Sequence, residues 1–127
     1  MSAAPYHAHI YYDDAERAQA LALRGRFEAM RAEGGAPLMV GKMREGRAGP
    51  HPISQYEIHF LESDLAVLSP ILEGAGLRVL IHPLTQDDLA DHTSLGRWIG
   101  EPVELDLTVL DPPGQNQGVP RFGKRDF

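Results

Sequence analysis

The residues best suited to chemistry in this 127-residue chain are its six histidines, two of which lie close together near the amino terminus. In the segment YHAHIYY, residues 6–12, His7 and His9 alternate with Ala8 and Ile10. Successive side chains of a strand point to opposite faces, so the two imidazoles share one face, roughly 7 Å apart. Imidazoles placed in this way can bind a metal ion or transfer protons. An isolated H-x-H pair is a weak pattern, and other segments must supply its partners.

Two later segments also have the alternation of a strand. Residues 54–61 alternate most clearly, with Tyr56, Ile58 and Phe60 on one side, and residues 77–82 alternate after them. The opposite, largely polar side of these two segments carries Gln55, Glu57, His59, Arg78 and His82. If both segments pair with residues 6–12, their histidines can meet His7 and His9.

The order of predicted elements specifies how these strands meet. A helix begins at Asp13 or Asp14 and ends near Ala32, and its buried stripe is predicted to contain Ala20, Leu23, Phe27 and Met30. Residues 37–43 form a second strand, and a second helix, from about Ser63 to Gly74, is interrupted or kinked at Pro70. The resulting order βαββαβ predicts an α+β, ferredoxin-like sandwich. Its antiparallel sheet has strand order 4-1-3-2, with both helices on one face.

The rest of the chain is predicted to extend this single domain, residues 1–110. A short helix is expected over residues 85–90 and an extra strand over residues 103–109. Residues 111–127 are rich in proline, glycine and charge. They predict a carboxy-terminal tail that is either disordered or laid across a partner.

Four histidines are expected to converge at one end of the helix-free face, because the start of the first strand lies beside the ends of its antiparallel neighbours. These are His7, His9, His59 and His82, with Glu57 one pleat further in. The chain has no cysteine, so a metal would be held by imidazole and carboxylate, a donor set that suits Fe(II), Mn or Zn. His51 and His92, outside the strands, are either plain loop residues or acid–base groups.

The donor set leaves several functions open. A few histidines with open coordination positions are typical of non-haem Fe(II) sites that use O2, whereas Zn with a bound water would serve a hydrolase. A non-catalytic module that binds a small molecule or a metal on the same face is a further alternative.

Composition excludes some partners. The net charge of −6 argues against a nucleic-acid partner, whose phosphates attract basic surfaces. No apolar run approaches the roughly 18 residues of a membrane span, and the first residues lack the order of a signal peptide. A cytoplasmic protein without membrane contact is therefore expected.

Three segments together resemble the DOPA 4,5-dioxygenase family of fungi and bacteria. They are YHAHIYYD, GPHPISQYEIHF and VLIHPLTQDDLADHTSLGRWIGEPVELDL, and they contain all six histidines. Gln86 stands where that family is expected to have glycine. The resemblance implies extradiol cleavage of DOPA or a related catechol with Fe(II) and O2, although Zn or another divalent metal could occupy the site.

The resemblance also implies roles for single residues. The metal ligands would come from His7, His9, His59 and His82, with Glu57 completing the site or orienting a histidine. An unused histidine, or His92 or His51, would act as the acid or base.

Two further expectations follow for the substrate and the assembly. Arg78 is either a partner of a substrate carboxylate or a solvated charge. A homodimer is expected, because dioxygen chemistry needs shielding from water and ferredoxin-like domains often cover this face with a second copy.

Overall fold

The computed structural model describes residues 4–123, which form one antiparallel sheet with helices packed on it. The strands are β1 (Pro5–Tyr11), β2 (Met39–Val40), β3 (Gln55–Leu61), β4 (Val79–Pro83) and β5 (Arg97–Ile99). The helices are α1 (Arg17–Ala32), α2 (Leu65–Glu73) and α3 (Asp88–His92). The predicted α+β class is confirmed. Within residues 4–123, every helix is too short or too polar to cross a bilayer.

The strands lie in the order β2-β3-β1-β4-β5, which confirms the predicted order of the first four and adds β5 beside β4. All pairings are antiparallel. The central strand β1 brings His7 opposite His59 on β3 and opposite His82 on β4. Two residues further on, His9 lies opposite Glu57.

The turn that leads into α1 is fixed by a reciprocal cap. The Asp13 carboxylate accepts the Glu16 N–H at 2.9 Å, and the Glu16 carboxylate accepts the Asp13 N–H at 3.0 Å. Ala20 and Phe27 of α1 are fully buried, while Leu23 and Met30 are partly buried against the same core. The predicted apolar stripe of this helix is confirmed.

The helices cover the apolar face of the sheet. The core on this face contains Ala8, Ile10, Tyr56, Ile58 and Phe60 from β1 and β3, joined by Tyr12 just after β1 and by Leu68 and Leu72 of α2. Pro70 lies inside α2, which runs unbroken through it. Alternation along the strands therefore sends the opposite set of residues to the other face.

Three local predictions were wrong or displaced. Residues 103–109 do not form a strand: the free edge of β4 is taken by β5, which contains Trp98, and Leu107–Val109 forms a short 3₁₀ turn. The short helix lies at Asp88–His92 rather than 85–90, because Asp87 caps it by accepting the Ala90 N–H at 3.0 Å. The second strand is only the pair Met39–Val40.

Residues 111–123 lie against their own domain. Asn116, 5% exposed, donates to the Thr85 carbonyl at 2.6 Å and to the Asp91 carboxylate at 3.2 Å. Phe122 reaches the histidine face beyond it. The boundary between domain and tail stays a prediction, as does a role of the tail on a partner.

Candidate active site

The strands bring four imidazoles together at one end of the helix-free face. His7 of β1 stacks on His59 of β3 with ring centroids 4.0 Å apart and planes 8° apart. The His82 ring of β4 lies 5.3 Å from the His7 ring and 5.0 Å from the His9 ring. This arrangement follows directly from the register of β1 with its two neighbours.

Two histidines outside the strands complete the cluster. The His51 ring lies 4.2 Å from the His9 ring, and the His92 ring, at the end of α3, lies 4.4 Å from the His82 ring. Both are buried, at 5% and 9% exposure. All six histidines of the chain therefore belong to one connected cluster of rings, including the two whose roles the sequence left open.

Oxygen acceptors fix which nitrogen of three histidines carries a proton. His9 Nδ1 lies 3.1 Å from Gln55 Oε1, and His82 Nδ1 lies 2.6 Å from the Pro83 carbonyl oxygen. His92 Nδ1 lies 2.8 Å from the carbonyl oxygen of Asp88. Such oxygens can only accept, so Nδ1 must donate and Nε2 presents its lone pair.

The lone pairs of His9 and His82 point at each other, with their Nε2 atoms 2.9 Å apart. Two neutral acceptors at this distance repel unless a proton or a cation lies between them. His7 Nδ1 donates to Glu57 Oε2 at 3.0 Å, and the buried His7 Nε2 has no hydrogen-bond partner within residues 4–123. One ligand atom from each of these three histidines lies within 4.8 Å of the others, so the residues fit a divalent metal.

His59 and His51 carry their protons on the other ring nitrogen, Nε2. His59 Nδ1 accepts the Gly123 N–H at 2.8 Å, so its Nε2 carries a proton and donates to Glu57 Oε2 at 3.2 Å. His51 Nδ1 lies 2.7 Å from the buried Tyr11 hydroxyl, whose proton needs an acceptor. These two rings therefore carry their protons on Nε2 and are hydrogen-bond donors there.

Burial controls the protonation of the cluster. Burial, followed by the neighbouring imidazoles, holds the pKa of His9 and of His82 well below the usual range. Burial likewise lowers the pKa of His51 to about 3. These rings are consequently neutral at neutral pH, the form that a metal ligand requires.

The pKa values of His92 and Glu57 are controlled by their hydrogen-bond partners rather than by burial. Burial opposes the charged form of both, yet the pKa of His92 is raised by its hydrogen bonds to Asp88. The pKa of Glu57 is held well below its ordinary value by His7 and by the hydrogen bond from His59. Glu57 is thus ionised and bonded to two imidazoles, and the pKa of His92 lies above those of His9, His51 and His82.

A cavity of about 350 Å³ opens beside the cluster. Its lining includes His7, His51, Gln55, Glu57 and His59, together with Arg44 and Arg121. Arg78, the predicted partner of a substrate carboxylate, lines a different cavity with Glu16, Glu73 and Glu101. Its role in substrate binding stays a prediction.

The carboxy-terminal segment covers one side of the cluster. The Phe122 ring lies parallel to the His59 ring, with centroids 5.4 Å apart and planes 8° apart. Gly118 and Arg121 of the same segment line the cavity. This side of the histidine face is thereby covered by the chain itself.

Sequence reasoning missed some of these residues. Tyr11 and Gln55 alternate with the histidines on their strands, so the pattern already placed them on the right face without indicating their partners. Arg44, Arg121 and Phe122 lie in segments without periodicity. Their positions depend on tertiary contacts that no local pattern reports.

Comparison with known proteins shows similarity to one protein family. The model of the Dopa 4,5-dioxygenase family matches residues 6–109. DOPA 4,5-dioxygenase of Amanita muscaria is 35% identical over 113 residues, which cover 83% of this chain and 49% of that protein. An uncharacterised 21.2 kDa protein of Botryotinia fuckeliana is 29% identical over 115 residues, covering 83% of this chain and 62% of that protein. The chain therefore spans about half to three fifths of the length of these curated relatives.

A solved structure extends the likeness to three dimensions. A candidate dioxygenase from Nostoc punctiforme PCC 73102 matches with a TM-score of 0.75 and 30% identity, covering 84% of this chain and 90% of that one. The resemblance inferred from the histidine segments is confirmed, since the family match includes all of them. This chain belongs to the Dopa 4,5-dioxygenase family.

Proposed function

We propose that this protein is a dioxygenase that opens the ring of DOPA or a related catechol by extradiol cleavage, with Fe(II) and O2. The observation that carries the proposal is the pair of His9 and His82 Nε2 atoms, 2.9 Å apart with both Nδ1 atoms already donating to oxygen. A cation between these lone pairs would relieve their repulsion. Family membership supplies the type of chemistry.

The proposed ligands are His7, His9 and His82. Each donates Nδ1–H to an oxygen, namely Glu57, Gln55 or the Pro83 carbonyl, which orients the ring and increases its basicity. Bound Fe(II) would supply open positions at which a catechol and O2 can meet. His59, also a candidate ligand from the sequence, is instead proposed to hold Glu57 in place from the other side.

Two further histidines are proposed to handle protons. His92 has an oriented Nε2 lone pair and a pKa raised by its hydrogen bonds to Asp88, so it can accept a phenolic proton of the catechol. His51 carries its proton on Nε2 and can donate a hydrogen bond to the developing product. The buried surroundings limit the access of water to both groups.

The proposal is tested by loading the metal-free protein with Fe(II) under anaerobic conditions and then adding a catechol and O2. Consumption of O2 with formation of a yellow, ring-opened product is expected. Metal or ligand binding that raises the melting temperature without O2 uptake would support the non-catalytic module instead. Turnover that requires Zn and not O2 would support a hydrolase.

We also propose that the protein forms a homodimer, although its own chain covers one side of the histidine face. Gly118, Arg121 and Phe122 already lie over the cluster. A second copy is therefore not needed to shield that side. Light scattering coupled to size-exclusion chromatography distinguishes a dimer from a monomer of 14.0 kDa.

A further inference from the structure

Tyr11 ends β1 on the histidine face, and its hydroxyl contacts one of the histidines. It follows His7 and His9 in the alternation of the strand, and its side chain is fully buried. The hydroxyl lies 2.7 Å from His51 Nδ1. His51 lines the cavity beside the cluster, whereas Tyr11 does not. An effect of this hydroxyl on a substrate in the cavity would therefore pass through His51.

The Tyr11 ring is held in place by apolar packing. It lies against the Trp98 ring with centroids 5.7 Å apart and planes 27° apart, and it packs in one cluster with Leu80 and Val103. A ring enclosed in this way cannot turn its hydroxyl aside without moving its neighbours. The position of the hydroxyl is therefore set by the packing around β1.

His51 has fewer constraints, because it lies in a loop. Reciprocal backbone hydrogen bonds between His51 and Ala48, at 2.9 and 3.0 Å, hold the loop but leave the protonated ring nitrogen undetermined. Within residues 4–123, the Tyr11 hydroxyl is the only hydrogen-bond partner of the His51 ring. That single contact decides what His51 presents to the cavity.

The direction of this hydrogen bond follows from the chemistry of the two groups. A tyrosine hydroxyl is protonated at neutral pH, and a buried hydroxyl needs an acceptor for its proton. His51 Nδ1 is that acceptor, so the proton of the neutral His51 ring lies on Nε2. The other edge of the ring then offers a donor and no lone pair.

This assignment separates two sets of histidines that could each hold a metal by distance alone. Each set has ligand atoms within 4.8 Å of one another; the sets are His7, His9 and His82, and His9, His51 and His92. A histidine ligand needs an uncommitted lone pair. His51 has none while its Nδ1 accepts from Tyr11.

On the basis of the function proposed above, we propose that Tyr11 is a positioning residue whose hydroxyl fixes His51 with its proton on Nε2. His51 then donates a hydrogen bond to the substrate in the cavity and stays out of the metal coordination. Tyr11 does not touch the substrate. It acts by selecting one of the two tautomers of His51.

The tautomer is tested directly by long-range ¹H–¹⁵N NMR spectra of the metal-free and Zn-loaded protein, with His51→Gln used to assign the His51 signals. In wild type, Nδ1 should have the shift of an unprotonated nitrogen and Nε2 that of an N–H group, with and without Zn. In Tyr11→Phe the two shifts should move toward each other, because neither tautomer is fixed. Unchanged His51 shifts in Tyr11→Phe, or a proton on Nδ1 in wild type, would overturn the inference.

Kinetics of the Fe(II)-loaded protein with L-DOPA and with unsubstituted catechol test the consequence for the reaction. Tyr11→Phe should lower kcat about tenfold to a hundredfold, with KM and metal affinity within about threefold of wild type. The double variant Tyr11→Phe/His51→Gln should be no slower than His51→Gln alone, because Tyr11 acts through His51. Losses of kcat that add in the double variant would contradict that route.

Tyr56→Phe is the matched control. Tyr56 lies on the helix side of the same sheet, is fully buried, and has a hydroxyl without a hydrogen-bond partner within residues 4–123. Its loss should leave kcat and the His51 shifts as in wild type. If Tyr56→Phe lowered kcat as much as Tyr11→Phe, the effect would be one of packing and the inference would be wrong.

Failure of this inference is distinguishable from failure of the proposed function. O2 uptake by wild type and Tyr11→Phe at the same rate would overturn the inference and leave the dioxygenase proposal intact. Loss of the Nε2 proton of His51 when Zn binds would make His51 a ligand, which also overturns the inference alone. Absence of O2 uptake in wild type would contradict the proposed reaction and the catalytic part of this inference, while the spectra would still decide whether Tyr11 fixes the tautomer.

Discussion

The two faces of the central strand β1 are covered in different ways. On one face, Ala8 and Ile10, with Tyr12 just after the strand, pack against α1 and α2 with at most 1% exposure. On the other, His7 and His9 are also buried, at 8% and 4% exposure, but they are surrounded by a loop, the short helix α3 and the carboxy-terminal segment. Adjacent residues of one strand therefore belong to an apolar core on one face and to a polar cluster on the other.

The comparison shows what each face depends on. The helix face is stabilised by apolar burial and close packing, which respond to side-chain volume. The histidine face depends on hydrogen bonds between imidazoles and oxygen acceptors, which respond to atom type. Substitutions on one face should therefore change stability, and those on the other should change metal binding.

The largest expected effect comes from two neighbouring substitutions that separate the faces. His9→Ala removes one of three proposed ligands and should weaken Fe(II) or Zn binding more than about a hundredfold, since even the partners that orient ligands are worth tenfold to a hundredfold. Ile10→Ala should leave metal affinity near wild type and lower the free energy of unfolding by about 2–5 kcal/mol. Metal titration and urea unfolding of both variants measure the two effects.

The same pair of variants can also show that the two faces of β1 are not independent. If Ile10→Ala weakened metal binding as much as His9→Ala, the two faces would not be independent. If His9→Ala kept full metal affinity, the proposed ligand set would be wrong. Ala8, which faces the same way as Ile10, provides a second position for the control.

Acid should act on the histidine face before it affects the helix face. In metal-free protein, burial holds the pKa of His9, His51 and His82 below the ordinary 6.5, so the unfolded chain binds more protons than the folded chain as pH falls below that value. Stability should be full above about pH 6.5 and decline toward pH 5, by up to about 1.4 kcal/mol per pH unit for each such histidine. His92, with its raised pKa, opposes part of this loss.

Urea unfolding with a chelator at pH 7.5, 6.5 and 5.5 measures this decline. His51→Gln should make the dependence shallower by about one proton, because one depressed imidazole is gone. A free energy of unfolding that is the same at all three pH values would show that folding does not lower the pKa values of the buried imidazoles.

A smaller effect is expected where a residue orients a ligand without touching the metal. Gln55→Met removes the acceptor at 3.1 Å from His9 Nδ1 and should weaken metal binding tenfold to a hundredfold with little loss of stability. Gln55→Glu keeps an oxygen acceptor and should retain more of the affinity. Equal affinity in the Met variant and wild type would mean that the His9 ring is oriented by its packing alone.

Alternation along the strands explains how much of this could be predicted. The pattern of β1, β3 and β4 assigned each histidine to a face, and the order of elements made β1 central, so His7, His9, His59 and His82 were expected to meet. The alternation of residues 103–109 was misleading, because Val103 and Leu105 pack on Tyr11 and Leu80 without strand pairing. Alternation reports burial on one side, not hydrogen bonding.

The remaining parts of the site depend on contacts between distant segments. His51 is positioned by the Tyr11 hydroxyl at 2.7 Å, and His59 is oriented by the backbone of Gly123 at 2.8 Å. The strand β5 has only three residues, too few for alternation to reveal. No periodicity of the sequence encodes such pairings.

The smallest expected effect comes from the cover over the histidine face. Phe122→Ala removes the ring parallel to His59 and should lower the free energy of unfolding by about 0.5–1.5 kcal/mol, because that ring is only partly buried. The matched change on the other face, Phe27→Ala, removes a fully buried ring and should cost about 3–5 kcal/mol. Metal affinity should stay within about threefold of wild type in Phe122→Ala, since the Phe122 ring lies nearer to His59 than to the proposed ligand His7, whose ring centroid is 6.3 Å away. Equal losses of stability in the two phenylalanine variants would mean that the carboxy-terminal segment is as much a part of the folding core as α1, and the contrast between the two faces would then be confined to the histidines themselves.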